Sequence, residues 1–483
     1  MEFTGDREEQ KRQLLPVVKF AVQRALARSG KPSYWDMATL LELAALEGNS
    51  REARACVSKM FRTEWESWNP ETTADNLRKI KEARQARLGR RQRWLEEIIR
   101  HLDGAAHKAA NRWWVFAASP PSATLAISFS KVKSSDPPRF RCRYRLGTPL
   151  KKGKEQGTRL ELKWTIDELA EHHDAFRKPY QGYDPARIKL YGAQLRQAIR
   201  DSKKLERAFT GLLDSDGQRR LVIEGGEPHI DHMIWEALPL RIRQVQGPFV
   251  ALAGNCIVRV GQTDRGPRPG TPSQDGTLLY AWSQPRKDDE VPRLVPHPRH
   301  RRILKTICDG SGVDMVTVPN ASLARIRAAA RRADEGGKPV RALHLLCHGD
   351  EVGDAWGLEI NAKHRAAVDP TRLNALLHND LPHLVLLTLH ACNSADPGTD
   401  TDDDQMKLLG SVADAGYAAG ADVVACQIPF TVDGSIIAVQ EMYSQLLARR
   451  RSLTHAVRAT VARLYKDPPH GYHDWAALVL MEH

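Results

Sequence analysis

The sequence predicts an α/β protein: a mostly parallel sheet flanked by helices, preceded by an α-helical, repeat-like module. Three observations carry this. Over residues 277–483, short apolar runs alternate with helix-patterned segments, which implies right-handed crossovers and a sheet covered on both faces. Residues 1–104 carry apolar side chains at helical spacing. Residues 105–276 contain several runs rich in β-branched and aromatic residues.

The first module reads as paired helices. "QLLPVVKFAVQRALARSG" ends in Gly30, and "SYWDMATLLELAALEGN" stops at Gly48-Asn49. "SREARACVSKMFRTEW" follows at once, with Ser50 as the expected N-cap. "NPETTADNLRKIKEARQARLGRRQRWLEEIIRHLDG" reads as one continuing helical stretch, with Asn69 as N-cap and Pro70 in its first turn. Such paired helices build concave surfaces suited to proteins, so a regulatory partner is expected at residues 1–104.

In the middle region "RWWVFAAS", "ATLAISFSKVK", "RFRCRYRL" and "RLELKWTI" read as strands. A helical segment, "PARIKLYGAQLRQAIRDSKKLERAFTGLL", intervenes before "RRLVIEG", "HIDHMIWEALPLRI" and "CIVRVG". "GQTDRGPRPGTPSQDG" has no apolar periodicity and reads as a linker. Beyond it, "TLLYAWS", "VDMVTVP", "VRALHLLC", "HLVLLTLHAC" and "ADVVACQIP" are strands. The helices between them are "HRRILKTICDG", "NASLARIRAAARRADEGG", "DPTRLNALLH" and "QMKLLGSVADAGYAAG". Two further helices and a last strand, "WAALVLM", complete the region.

Composition excludes several classes. No run approaches a membrane span, and "MEFTGDREEQ" is not a secretory signal, so a cytoplasmic protein is expected. Seven cysteines without a CxxC pair fit reduced thiols. The net charge is +13, but the clusters "RQARLGRRQRW", "HPRHRR", "RIRAAARR" and "ARRR" sit on helical segments beside acids. They read as solvated helix faces, with an acidic partner as the alternative. No zinc finger, RNP-type motif or long basic tail is present, so nucleic acid is not the expected partner.

Sites in parallel sheets form beyond the carboxyl ends of the strands. His348 and Cys392 both stand at such ends. The stretch between them accommodates a loop, one crossover helix and the next strand, so the two strands can be neighbours. A thiol needs a nearby base to act as a thiolate near neutral pH. Gly349 permits a tight turn after the histidine, and its N–H, with that of Cys392, could hold an oxyanion.

The caspase signature around the nucleophile, Q-A-C-[RQG]-G, is not met by "HAC" followed by "NS". The blocks "LHLLCHGDEVGDAWGLEI", "LVLLTLHACNSAD", "AGYAAGADVVACQIPFTVDGSIIAVQEMYSQLL", "HAVRATVARL" and "WAALVLM" instead resemble the CHAT family of caspase-like, clan CD cysteine peptidases. "RRLVIEGGEPHIDHMIWEALPL" resembles the upstream strand and "LPWELL"-like turn of that family. The resemblance spans about residues 155–483. It implies a caspase–hemoglobinase fold, with residues 105–276 as a pseudo-caspase-like half and 277–483 as the catalytic domain. It also implies endopeptidase activity, with Cys392 as nucleophile and His348 as base. Separately, "YWDMATLLELAALEGNSREA" and "TTADNLRKI", within about residues 33–85, resemble the TPR-like TRAF-binding region of MAP kinase kinase kinases. Appended modules of this kind often sense a signal or present a protein substrate, frequently in bacterial immunity or cell death. A pore-forming or proenzyme effector encoded nearby is the substrate type the family implies.

Other readings compete. Cys347 and Cys426 are expected to pack in the core, and Cys347 has the opposite strand parity to His348. His344 and His390 share the parity of the pair, and the four together could hold zinc. Deep in strands, however, a satisfied core histidine is the ordinary outcome, and no metal or cofactor is expected. The acidic run Asp396 to Gln405 places Asp400, Asp402 and Asp404 like the start of a calcium loop, but Gln405 and Ser411 stand where glycine and glutamate are required. It is expected to be a solvated loop. Asp354, Asn393 and Asp433 are candidate substrate-binding residues, and the two carboxylates would favour a basic P1 side chain. The alternative function is a non-catalytic adaptor that uses the same fold as a binding platform.

Overall fold

The computed structural model describes residues 8–29, 33–60, 68–89, 92–110, 123–132, 138–147, 154–162, 164–177, 185–215, 218–225, 228–231, 233–242, 245–251, 255–260, 276–284, 295–352, 355–360, 367–396, 411–469 and 472–482. The expected strand "RWWVFAAS" and the linker after residue 260 lie outside these. The chain divides into two compact units, Met1–Trp113 and Trp114–His483.

The described residues of the first unit form five helices: α1 (Glu8–Ser29), α2 (Tyr34–Glu47), α3 (Ser50–Met60), α4 (Trp68–Leu88) and α5 (Arg93–Ala110). Ser33 opens α2 with a capping box formed with Asp36. Gly48 closes it at φ 79°. The Arg84 guanidinium donates to the Leu46 carbonyl at 2.6 Å. The left-handed φ favours glycine at Gly48, and a Cβ would in addition displace the Arg84 guanidinium, 2.6 Å away. The cap of α3 is Asn49, not Ser50: the Asn49 Oδ1 accepts from the Glu52 N–H at 3.1 Å, and Ser50 is already helical. Asn69 likewise lies inside α4. The long fourth segment is two helices, broken at Gly89, whose φ is 63°. The core joins Met37, Leu41, Leu77, Leu95 and Leu102 across three of the helices.

The second unit is built on one eleven-stranded sheet. Its strands are β1 (Ala123–Lys131), β2 (Arg139–Gly147), β3 (Gln156–Glu161), β4 (Arg219–Glu224), β7 (Asn255–Val260), β8 (Thr277–Trp282), β9 (Asp314–Pro319), β10 (Val340–Leu346), β13 (Leu386–His390), β14 (Asp422–Cys426) and β15 (Leu478–Met481). Two small hairpins supply β5 (Pro239–Ile242) with β6 (Val245–Pro248), and β11 (Gly349–Val352) with β12 (Ala355–Leu358). The order is β3-β2-β1-β4-β7-β15-β14-β13-β10-β8-β9. Pairing is parallel except at β1–β2, β2–β3 and β14–β15. Strands from both sequence regions, 105–276 and 277–483, therefore share one sheet.

β10 is buried at every position, as is β13. Continuous burial fits strands covered on both faces. Leu343, Leu345, Leu387 and Leu389 pack with α11 (Leu323–Glu335), α12 (Pro370–Asp380) and α13 (Val412–Ala418). Side chains of the opposite parity meet α10 (His297–Ser311) and α14 (Val432–Tyr443). The remaining helices of this unit are α6 (Ile166–Arg177), α7 (Pro185–Asp201), α8 (Lys203–Leu213), the short α9 (Pro228–Asp231) and α15 (Leu453–Lys466).

Candidate active site

The parallel register of β10 and β13 pairs Leu346 with His390. It extends one step further, because the Cys347 N–H donates to the His390 carbonyl at 3.3 Å. Just beyond, His348 and Cys392 leave adjacent strands. Gly349 shows how closely the two chains approach: a Cβ there would stand 1.9 Å from the Cys392 carbonyl oxygen. Only glycine fits. A close backbone contact with the cysteine thus requires glycine at 349, and the chain beyond it enters the hairpin β11–β12 rather than a simple turn. Nothing in the apolar pattern announces that hairpin.

The hairpin holds the histidine's backbone. The His348 carbonyl accepts from the Glu359 N–H at 2.9 Å. Antiparallel ladders alternate bonded and non-bonded pairs, so the next pair, Gly349 with Leu358, turns its N–H groups outward. The Leu358 N–H indeed goes to the Val368 carbonyl at 2.9 Å, away from β11. The Gly349 N–H is directed away from β12 by the same alternation.

Cys392 is the one cysteine of seven that is not buried. The turn behind it is anchored at several points. Asn393 is buried and adopts φ 56°, a left-handed conformation that asparagine tolerates better than most residues. The Ser394 hydroxyl accepts from the Cys426 N–H at 3.1 Å, and the Ala395 N–H donates to the Cys426 carbonyl at 2.9 Å. The Ala413 N–H, from the first turn of α13, donates to the Ser394 carbonyl at 2.9 Å. Ser394 escaped the sequence reading, because a small polar residue in a turn gives no signal of the strand it will meet.

Beneath the pair lies a layer of buried histidines. His344 Nδ1 is 3.1 Å from the Tyr443 hydroxyl and 2.9 Å from Thr388 Oγ1, and its Nε2 is 3.3 Å from His300 Nδ1. His300 Nε2 is 3.2 Å from the Ser435 hydroxyl, which itself donates to the Val432 carbonyl at 2.7 Å. One neutral assignment satisfies the whole chain: Tyr443 donates to His344, His344 to His300, and His300 to Ser435. Burial lowers the pKa of His300 and of His344 well below the usual imidazole range, and neighbouring histidine charge adds to this. The His390 ring lies tilted against that of His344, with centroids 4.6 Å apart, and 6.2 Å from that of Phe430. Burial lowers its pKa to about 3. Its two ring nitrogens meet no hydrogen-bond partner, so His390 is a core residue but not a satisfied one. Among the described residues, no group of three or more His, Cys, Asp or Glu side chains is arranged to hold a metal ion.

Cys347 and Cys426 are fully packed, and burial raises both thiol pKa values. Cys347 belongs to the core cluster on the α11–α12 face, opposite the histidine layer. Asp433 sits in the first turn of α14, 3.6 Å from the Arg299 guanidinium. That pairing offsets the charge a basic P1 side chain would need. Asp354 and residues 397–405 of the acidic run lie outside the described residues. Asp396 is buried.

A second polar cluster explains the "WEALPL" segment. Glu236 and Arg259 form a buried ion pair at 2.6 Å. Arg259 also donates to the carbonyls of Asp231 and Met233, both at 2.9 Å. Gln427, just past β14, accepts from Arg259 at 2.5 Å and donates to the same two carbonyls. Trp235 is buried beside them, its indole N–H donating to the Ile230 carbonyl at 3.2 Å. The end of β14 is thereby tied to the segment that follows β4.

An open-ended α/β sheet with a histidine and a partly exposed cysteine at neighbouring strand ends defines the class of the second unit. Residues 193–483 match the CHAT domain, well over half of the chain, and the protein belongs to the CHAT-domain family. Residues 2–101 match the MAP3K TRAFs-binding domain, a span wider than the resemblance in the sequence alone. Among solved structures, the Arg-specific cysteine proteinase gingipain R is similar at 12% identity over 64% of this chain and 69% of that one, with a TM-score of 0.37. No curated relative matches the sequence.

Proposed function

We propose that the protein is a cysteine endopeptidase that cleaves a protein substrate with Cys392 and His348. The observation that carries this reading is the pairing of adjacent strand ends, with Gly349 packed on the Cys392 carbonyl. Cys392 Sγ attacks the scissile carbonyl carbon, and its proton passes to His348. The N–H groups of Gly349 and Cys392 hold the oxyanion. The C–N bond breaks as His348 returns the proton to the leaving amine. Water, with His348 as base, then hydrolyses the thioester and frees the thiol. Membership of the CHAT family and the partly exposed cysteine support this assignment.

The helical unit regulates the peptidase or recruits its substrate. Its match to a TRAF-binding domain supports protein recognition, as does α1, where Val17 is 62% and Phe20 63% exposed. No helix of the described residues is long and apolar enough to cross a membrane, and we place the protein in the cytoplasm, acting in bacterial defence or programmed cell death. Residues 105–276 form the pseudo-caspase-like half and 277–483 the catalytic half. Proteome-wide N-terminal labelling after induction, wild type against Cys392→Ala, tests the reading. New protein termini that depend on Cys392 are expected. Identical termini in both strains, together with no labelling of Cys392 by a peptidyl fluoromethylketone, would instead assign the chain to the adaptor class.

A further inference from the structure

β2 reads Arg139-Phe140-Arg141-Cys142-Arg143-Tyr144-Arg145. Phe140, Cys142 and Tyr144 are buried against the helices, while Arg139, Arg141, Arg143 and Arg145 are exposed on the other face. Strand geometry spaces the four about 6.8 Å apart, in a row about 20 Å long. On the flanking strands, Ser130 stands opposite Arg141 and Ser128 opposite Arg143, while Arg159 of β3 directly faces Arg141. Like charges directly opposite in an antiparallel pair are destabilising. Arg139 pairs with Glu161 at 3.2 Å, and Arg143 lies 3.9 Å from Glu155. Among the described residues, Arg141, Arg145 and Arg159 have no acidic partner.

No large exposed apolar side chain of the described residues lies on this face. Protein interfaces place aromatic and apolar anchors at their centre. A phosphodiester backbone is held by arginines and hydroxyls without them. We propose that this arginine-lined sheet face binds nucleic acid through its phosphates, without reading base sequence. The helical clusters that dominate the basic count play no part in it. An anion bridging Arg141 and Arg159 converts their mutual repulsion into attraction.

Fluorescence anisotropy of the full chain with labelled mixed-sequence RNA and DNA single strands tests this. Affinity should fall with salt with a log–log slope of about −0.7 per phosphate contact. Arg141→Ser with Arg143→Ser should lower affinity about tenfold or more and flatten the slope by about 1.4. Arg301→Ser with Arg302→Ser, an equal loss of charge on α10, should change neither. Arg159→Ala should weaken binding while leaving thermal stability equal or higher, a combination that misfolding cannot produce. The proposal is overturned if wild type does not bind at low salt or if the α10 pair loses as much affinity. It is also overturned if poly-glutamate competes as well as the oligonucleotide, which would assign the face to an acidic protein.

Discussion

The cluster behind β4 and the pair beyond β10 and β13 are two polar sites on one sheet, built to opposite ends. Around Arg259, donors and acceptors close on one another: a carboxylate, a side-chain amide and two backbone carbonyls take up one guanidinium. Nothing there is left to react, and the result is a clamp between strand ends. Beyond β10 and β13, backbone bonds fix the chain on either side of His348 and Cys392, and the cysteine stays partly exposed. The same framework yields a fastener where buried charges are paired and a candidate reaction centre where the chain is held but the cysteine reaches solvent.

Four measurements break or sharpen that contrast. Cys392→Ala should reduce substrate cleavage at least about ten-thousandfold with an unchanged thermal midpoint, as a residue that serves chemistry and not stability. A cleaved substrate at near wild-type rate would remove the reaction centre from the comparison. Glu236→Ala should do the reverse, costing about 3–5 kcal/mol in denaturant titration by stranding the Arg259 charge. A loss under about 1 kcal/mol would show that the clamp does not hold the strand ends together. Gly349→Ala should touch both properties, since its Cβ meets the Cys392 carbonyl. About 2 kcal/mol of stability and about a hundredfold in rate should be lost, and an intact rate would show that this close approach does not position the thiol.

The smallest effect is that of a single histidine, in acid. The three histidines of the buried layer have folded pKa values below the unfolded value of about 6.5. Below that pH the unfolded chain binds more protons than the folded one, so stability is retained above about pH 6.5 and lost as pH falls. For His390 the loss continues to about pH 3. Each histidine contributes up to about 1.4 kcal/mol per pH unit. Thermal midpoints should therefore decline from about pH 6.5 to pH 5, before most carboxylates titrate. His390→Leu should make that decline shallower and cost little at neutral pH, where it removes an unsatisfied polar ring. An identical slope in wild type and variant would show that His390 is not neutral in the fold.

The alternation of apolar runs and helical patterns was enough to determine the α/β class, the helical first unit and the strand ends at His348 and Cys392. These are local properties, since burial on both faces leaves β10 and β13 as mostly apolar runs, broken only by Arg341, His344, Thr388 and His390. Residue parity likewise separated Cys347 from His348. What only the tertiary structure decided depends on groups distant in sequence. Two departures from expectation are local instead: Asn49 rather than Ser50 caps α3 through a bond to Glu52 three residues on, and Gly89 splits a helical stretch at its own positive φ. The last strand runs antiparallel to β14, since neighbours in a sheet are set by the path of the whole chain. Gly349 needs to be glycine because of a carbonyl on another strand. His390, read as an ordinary core histidine, is buried without a hydrogen-bond partner, and Arg141 faces Arg159 across a strand boundary. Close approach, partner satisfaction and charge opposition are relations between segments, and no single segment contains them.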